Sequence, residues 1–78
     1  MRRLISVKPL DNYEVELVYA RNQLRHFDLK PYLNLGKFRE LKNVTLFQQV
    51  RISFDTISWA NGIDICPDLL YEKSSIVH

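Results

Sequence analysis

The chain has 78 residues, of which 46% are hydrophobic, which is enough for one small globular domain and excludes a second one. Its eleven lysines and arginines outnumber its nine acidic residues by a net charge of +2, and no five like charges are adjacent, which excludes a polybasic arm for nucleic acid. The single cysteine excludes an internal disulfide and favours a reducing compartment.

The N-terminal segment has no signal for secretion. Lys8 and Pro9 interrupt the apolar run that begins at Leu4, so this run is too short for a secretory core or a membrane span. We therefore expect a cytoplasmic protein that does not contact a membrane.

The first two strands are predicted from side-chain pattern. Residues 4–9 contain strand-forming aliphatic side chains and end at Pro9, which cannot donate a ladder hydrogen bond. In residues 13–19, every second side chain from Tyr13 to Tyr19 is apolar, so this strand places one apolar row on a single face.

A hairpin is predicted between the second strand and a third strand at residues 24–29. Asn22 in the connection tolerates the positive φ that a tight hairpin turn requires. Leu24 and Phe27 fall on opposite faces of an ideal strand, so the third strand either contains a bulge or is covered on both sides.

Charged side chains on this hairpin predict ion pairs between its strands. Glu14 and Glu16 share one face of the second strand, and Arg25 lies across from them on the third. Such cross-strand pairs contribute a few tenths of a kcal/mol each.

Two short helical segments are predicted next. Phe38 and Leu41 are three residues apart among charged neighbours, which indicates about two helical turns after a possible cap at Asn34. Asn43 is placed to cap a further turn at residues 44–48.

The last third of the chain is predicted to contain a hairpin, a turn and a helix. Residues 51–54 and 57–59 form the hairpin strands, and a turn at residues 61–62 precedes a brief strand at residues 63–65. Pro67 then begins a helix, because proline suits the first helical position.

These elements predict a single α+β domain over residues 1–78. We expect a small, mainly antiparallel sheet of about five strands in the order β-β-β-α-β-β-α, with two or three short helices packed on it. Residues 74–78 are predicted to form a frayed tail.

The order of these motifs resembles one protein family. The pieces that match its pattern, in chain order, are Phe27-Asp28-Leu29, Phe38 with Leu41, Phe47 with Val50, and a final signature that contains Trp59, Asn61, Gly62, Asp64, Pro67, Leu70 and Tyr71. The chain resembles, over nearly its whole length, the bacterial family called domain of unknown function 2442. Asn22 and Ala60 depart from the glycine and the proline that the family usually has there.

The resemblance implies a small α+β domain without an assigned activity. Some relatives are fused to a helix-turn-helix domain, and others are encoded beside a second small protein in an arrangement similar to a toxin–antitoxin pair. This chain has no room for an appended helix-turn-helix domain.

Several side chains are candidates for chemistry, and each has a structural alternative. Trp59 is either a binding platform or a core residue, and we favour the core. Asp64 and Asp68 either form a carboxylate pair or stabilise a turn and a helix start, and we favour the second interpretation. His26 and Cys66 require mutual contact for catalysis, which no pattern indicates, so we expect neither an enzyme, nor a cofactor, nor a metal site.

Lys37, Arg39 and Lys42 are candidate contacts for nucleic acid. Glu40 lies among them and Phe38 points inward in the predicted helix, so we favour a solvated helix face.

The leading hypothesis is a non-enzymatic module that binds a protein partner or a second copy of itself. The alternative is a nucleic-acid-binding, antitoxin-like regulator. No small-molecule substrate is expected.

Overall fold

The computed structural model describes residues 2–77 and confirms the predicted α+β class. Its strands, in chain order, are β1 (Leu4–Pro9), β2 (Glu14–Tyr19), β3 (Gln23–Asp28), β4 (Arg51–Ser53), β5 (Thr56–Ser58) and β6 (Ser75–Ile76). Its α-helices are α1 (Val44–Phe47) and α2 (Pro67–Lys73). No helix within this part of the chain is long and apolar enough to cross a membrane.

The main sheet contains four antiparallel strands in the order β1-β2-β3-β6. The β2–β3 ladder is continuous from Glu14 opposite Asp28 to Tyr19 opposite Gln23, so the bulge considered for β3 is absent from it. The ladder shifts instead within β1, between Leu4 and Ser6. β3 therefore alternates regularly between its two faces.

Tight turns join the first three strands. Asn12 and Tyr13 both have positive φ in the first connection, and Arg21 and Asn22 both have positive φ in the second. Only asparagine among these residue types adopts this conformation readily, so each turn places one unfavourable residue in the left-handed region.

A second sheet corrects the prediction of a single sheet of about five strands. β4 and β5 form a separate two-stranded sheet, which Asp64 extends by an isolated bridge to Ser58, and β5 places Ile57 in the core instead of joining the edge of the main sheet. Phe54 and Asp55 form the turn between them with φ values of 50° and 62°. Two consecutive positive φ values in a two-residue hairpin loop define a type I′ turn. The sequence had predicted this turn one residue later, at residues 55–56.

The tight turns at Asp11–Tyr13 and Ala20–Asn22 have 3₁₀-type hydrogen bonding but non-helical φ/ψ at Asn12 and Arg21. Short 3₁₀ helices span Lys30–Tyr32 and Gly36–Lys42. The last of these was predicted as an α-helix capped by Asn34, but it follows Leu35 without a side-chain cap. α1 has the predicted cap, because Asn43 accepts a hydrogen bond from the Leu46 amide.

One hydrophobic core lies between the two sheets and the helical segments. Its fully buried members include Trp59, Phe27, Leu17, Leu29, Leu41, Ile57, Leu70 and Val15. The core draws on every strand from β1 to β5 except β4, and on both α-helices.

The C-terminal residues are ordered against the main sheet, which corrects the predicted frayed tail at residues 74–78. In β6, Ser75 pairs with His26 and Ile76 with Arg25, and the Val77 amide donates to the Leu24 carbonyl. His78 lies outside the described residues.

The type I′ turn gives a first prediction. Changing Phe54→Asn together with Asp55→Gly supplies the residues that this turn prefers and removes the strain of a bulky residue at positive φ. We expect the free energy of unfolding, measured by urea denaturation, to rise by about 1–2 kcal/mol. The opposite pair, Phe54→Val with Asp55→Val, should lower it, and a higher stability of the valine pair would contradict the assigned geometry.

Candidate functional site

Two neighbouring clefts open where the start of the chain, the β2–β3 turn, the β4–β5 turn and the start of α2 meet. The hairpin cleft encloses about 520 Å³ and is lined by Arg2, Tyr19, Phe54, Asp55, Pro67 and Asp68. The arginine cleft encloses about 340 Å³ and is lined by Arg2, Arg3, Tyr19, Ala20, Arg21 and Gln23. Arg2 and Tyr19 line both, so they form the wall that the two clefts share.

A buried arginine holds this region to the main sheet. Arg25 is 7% exposed, and its Nε donates to the Ser74 hydroxyl while its Nη2 donates to the carbonyls of Tyr71 (3.1 Å) and Ser74 (2.8 Å). These carbonyls belong to the end of α2, where the helix dipole favours a positive charge. Arg25 therefore attaches the C-terminal end of α2 to β3. The predicted pairing of Arg25 with Glu14 or Glu16 is wrong, because Arg25 lies on the inward face opposite Leu17.

The Tyr71 ring is the platform beneath the shared wall. Arg25 and Arg2 lie over this ring, with their Cζ atoms 4.2 Å and 4.4 Å from its centroid. Tyr19 packs edge-on against the same ring, with 5.1 Å between the ring centroids. The Tyr71 hydroxyl is 3.1 Å from Gln23 Oε1, which it can donate to. Guanidinium groups over an aromatic face contribute about 0.5–2 kcal/mol each, so the platform positions Arg2.

Tyr19 carries the least satisfied polar group of the site. Its side chain is 2% exposed, and its hydroxyl has no hydrogen-bond partner among the described residues. Burial raises the pKa of this phenol, although the positive charges of Arg25 and Arg2 act in the opposite direction. Because even the ordinary phenol pKa of 10.0 lies well above neutral pH, the hydroxyl is protonated there and can donate a hydrogen bond.

Arg2 is held by an exposed ion pair. Its Nη2 is 2.7 Å from Asp68 Oδ1, and the two side chains are 44% and 72% exposed. An ion pair at this exposure contributes about 0–1 kcal/mol, so the Arg2 side chain can exchange partners at low cost.

Phe54 is the most exposed large hydrophobic residue in the described part of the chain. It is 95% exposed at the tip of the β4–β5 hairpin and lines the hairpin cleft. The sequence pattern predicts Phe54 as the last residue of a strand and indicates no role for it. The β4–β5 hairpin itself was predicted, but its turn lies one residue earlier than predicted, at Phe54 and Asp55, and this register exposes Phe54 at the tip.

The signature residues around Trp59 serve the fold. Trp59 is 1% exposed, and its indole Nε1 donates to the Phe47 carbonyl at 3.0 Å. Gly62 has a φ of 91°, which favours glycine, and its amide donates to the Trp59 carbonyl. The Asn61 side chain accepts from the Ile63 amide, a role that the sequence had assigned to Asp64.

The remaining signature residues lie along α2 and just before it. Asp64 is exposed and forms an isolated backbone bridge with Ser58. Pro67 begins α2, as predicted, and is exposed in the hairpin cleft. Leu70 is fully buried in the core, and Tyr71 forms the platform already described.

The three candidate nucleic-acid contacts, Lys37, Arg39 and Lys42, are all exposed, and two of them donate a hydrogen bond to a nearby carbonyl. Lys37 Nζ donates to the Asn61 carbonyl at 2.7 Å, and Arg39 Nε donates to the Gly36 carbonyl at 3.3 Å. Glu40 Oε1 accepts from Asn61 Nδ2 between them. Lys42 is exposed.

The other candidate reactive groups have separate partners. His26 Nε2 is 3.3 Å from Glu16 Oε2, whereas Cys66 is exposed at the residue before α2. Asp68 pairs with Arg2, and no ion pair or side-chain hydrogen bond is described for Asp64. Within residues 2–77, no three His, Cys, Asp or Glu side chains are grouped so that they could hold a metal ion.

Comparison with known proteins places the chain in one family. The model of a family described as "Protein of unknown function (DUF2442)" matches residues 4–75. No curated protein and no solved structure matches the chain.

The buried guanidinium gives a second prediction. Arg25→Lys keeps the charge but loses the fork that bonds to Ser74 and Tyr71, so we expect the free energy of unfolding to fall by about 2–3 kcal/mol. Arg51→Lys, at an exposed position of β4, is the matched control and should change stability by less than about 0.5 kcal/mol. Equal effects in urea denaturation would show that Arg25 does not hold α2.

The phenol of Tyr19 gives a third prediction. The folded state retains the Tyr19 proton above the ordinary phenol pKa of 10.0, where the unfolded chain releases it. The contribution of the neutral Tyr19 phenol to the free energy of unfolding is therefore fully present below that pH. It is lost as the pH rises through the raised pKa of the folded state. The difference in unfolding free energy between the native chain and Tyr19→Phe should shift in favour of the variant above pH 10, as measured by urea denaturation. A difference that stays constant with pH would contradict the burial of this hydroxyl.

Proposed function

The chain belongs to the DUF2442 family of proteins of unknown function, and we propose that it is a non-enzymatic domain that binds another protein through the hairpin cleft. The β4–β5 turn supplies the main contact. The proposal rests on Phe54.

Phe54 combines two costs that the fold itself does not require. A bulky aromatic residue at positive φ is a backbone outlier, with strain of about 1–3 kcal/mol. Its 95% exposure means that it contributes almost nothing to the core. Burying a phenylalanine side chain in an interface recovers about 1.5–3 kcal/mol. Strain and exposure at the same residue therefore support a role in binding.

The surroundings of Phe54 are suited to a protein partner. Phe54, Tyr19 and Pro67 give the cleft apolar surface, while Arg2, Asp55 and Asp68 give it charged groups of both signs. Protein interfaces commonly combine an apolar anchor with a polar rim. An open cleft of about 520 Å³ has room for one large side chain of a partner and its flanking backbone.

The non-enzymatic part of the proposal is supported by where the reactive groups lie. His26 is paired with Glu16 on the sheet, and Cys66 precedes α2 at the surface. Neither lines the hairpin cleft or the arginine cleft. A nucleophile and its base need to be within hydrogen-bond reach of each other and of a substrate.

The nucleic-acid alternative has weaker support. Lys37 and Arg39 donate to nearby carbonyls, and Glu40 adds a negative charge beside them. A phosphate backbone is bound best by several cations without interspersed carboxylates. An antitoxin-like role that acts through protein binding remains compatible with the hairpin cleft.

A fourth prediction tests the proposal with a matched pair of variants. Affinity capture from the source cells uses the native chain, Phe54→Ser and Leu35→Ser. Leu35 is 56% exposed and lies outside both clefts, so it controls for a general loss of surface hydrophobicity. We expect a stoichiometric protein partner with the native chain and Leu35→Ser, and at least a tenfold loss with Phe54→Ser.

Sedimentation equilibrium on the same proteins separates the possible occupants. A Phe54-dependent dimer identifies the partner as a second copy of the chain. The proposal fails when Phe54→Ser captures the same partner as the native chain, or when the native chain is a monomer that captures none.

A further inference from the structure

The arginine cleft is a cationic site without an acidic wall. Arg2, Arg3 and Arg21 line it, and its other lining residues are Tyr19, Ala20 and Gln23. Neither Arg3 nor Arg21 has an ion-pair partner in the described part of the chain. Three arginines among the lining residues of a cleft of about 340 Å³ favour an anion, because a guanidinium can donate two parallel hydrogen bonds to an oxyanion.

The unpartnered hydroxyl of Tyr19 points to the same ligand chemistry. A buried hydroxyl without a hydrogen bond is an unfavourable arrangement that natural proteins keep rarely. Tyr19 lines the arginine cleft, and its phenol is protonated at neutral pH, as its ordinary pKa of 10.0 requires. An oxyanion that accepts this hydrogen bond would satisfy the hydroxyl.

Arg2 is the third arginine of the cleft, and its present partner is weakly held. It lines both clefts beside Tyr19 and is held by its exposed ion pair with Asp68. Because an exposed pair is weak, a ligand carboxylate can replace Asp68 as the partner of Arg2. This exchange would bring the Arg2 guanidinium to a ligand in the arginine cleft, beside Tyr19.

We propose that the arginine cleft binds a carboxylate of an acidic segment in the protein partner, with Arg2, Arg3 and Arg21 as the cationic groups and the Tyr19 hydroxyl as a neutral donor. The identity of the partner rests on the proposed function. The cleft itself is defined by residues other than Phe54, so it can be tested separately.

The neighbouring charges favour a single carboxylate over a nucleic-acid backbone. Asp55 and Asp68 line the adjoining hairpin cleft, so a polyanion that continued from one cleft into the other would meet two carboxylates. Phosphates along a strand repeat at short intervals and need a continuous cationic track. A partner segment in which an acidic side chain is followed by an apolar one would place the first in the arginine cleft and the second in the hairpin cleft.

A fifth prediction uses an acetylated octaglutamate peptide as the probe. Titration at low salt into the isotopically labelled chain, followed by amide chemical shifts, should move the signals of residues 2–3 and 19–23. Arg3→Gln and Arg21→Gln should each weaken the peptide about tenfold, which is the usual size of a lost charge-assisted hydrogen bond. Arg39→Gln removes the same charge outside the cleft and should leave the affinity unchanged.

The Tyr19→Phe variant distinguishes a role of the Tyr19 hydroxyl in peptide binding from a role in the stability of the fold. It should weaken the peptide about fivefold, in keeping with the loss of one neutral hydrogen bond, while the urea midpoint at neutral pH stays the same or rises. A purely structural role of the hydroxyl predicts a lower urea midpoint instead, and that result would overturn its assignment as a ligand donor.

An oligothymidylate of the same length is the comparison ligand. Tighter binding of this ligand than of octaglutamate at equal ionic strength, with the same loss in Arg3→Gln and Arg21→Gln, would overturn the proposal in favour of a phosphate site. Equal weakening of octaglutamate by Arg39→Gln, or no shifts at residues 2–3 and 19–23, would also overturn it. Phe54→Ser should still bind octaglutamate, so failure of the hairpin cleft and failure of the arginine cleft give different results.

Discussion

The arrangement of the candidate site depends on one buried guanidinium. Arg25 enters the core side of the main sheet and is satisfied by the hydroxyl and carbonyl of Ser74 and by the carbonyl of Tyr71. No carboxylate partner for it is described within residues 2–77. Its desolvation is offset by hydrogen bonds from the helix end and by the Tyr71 ring, so α2 cannot move from β3 without leaving a buried charge unpaired. This constraint fixes the platform on which Arg2 and Tyr19 rest.

Backbone strain occurs beside each of the two clefts, as well as at Tyr13 in the β1–β2 turn. Phe54 lines the hairpin cleft and Arg21 lines the arginine cleft, and both side chains are presented from tight turns at positive φ. Asparagine or glycine at these positions would suit the backbone better but would remove an aromatic anchor from one cleft and a cation from the other. Both turns are therefore less stable than they would be with asparagine or glycine, but each presents a side chain to a cleft. Strained residues of this kind are found at functional sites.

Local sequence patterns predicted the elements that depend on local physics. The strand at residues 4–9, the Asn43 cap and the helix start at Pro67 each follow from one or two residue types. Arg25 was misplaced because a charged residue was assigned to the solvent face, although strand alternation in the hairpin puts position 25 inward. The Arg25 guanidinium is hydrogen-bonded to Ser74, which is 49 residues away in the sequence. No short-range sequence pattern indicates that contact. The two clefts were missed for the same reason, since four separate segments form them.

Sharing Arg2 couples the two clefts electrostatically. With Arg2 on Asp68, the hairpin cleft has one unpaired carboxylate, that of Asp55; a carboxylate that draws Arg2 away leaves Asp68 unpaired as well. The local charge of the hairpin cleft thus becomes more negative when the arginine cleft is filled. A basic side chain next to the apolar anchor of the partner then gains attraction, whereas a second acidic one is repelled. In the proposed complex, discrimination between partners would therefore lie in the order acidic, apolar and basic along a segment, which a single cleft would not distinguish.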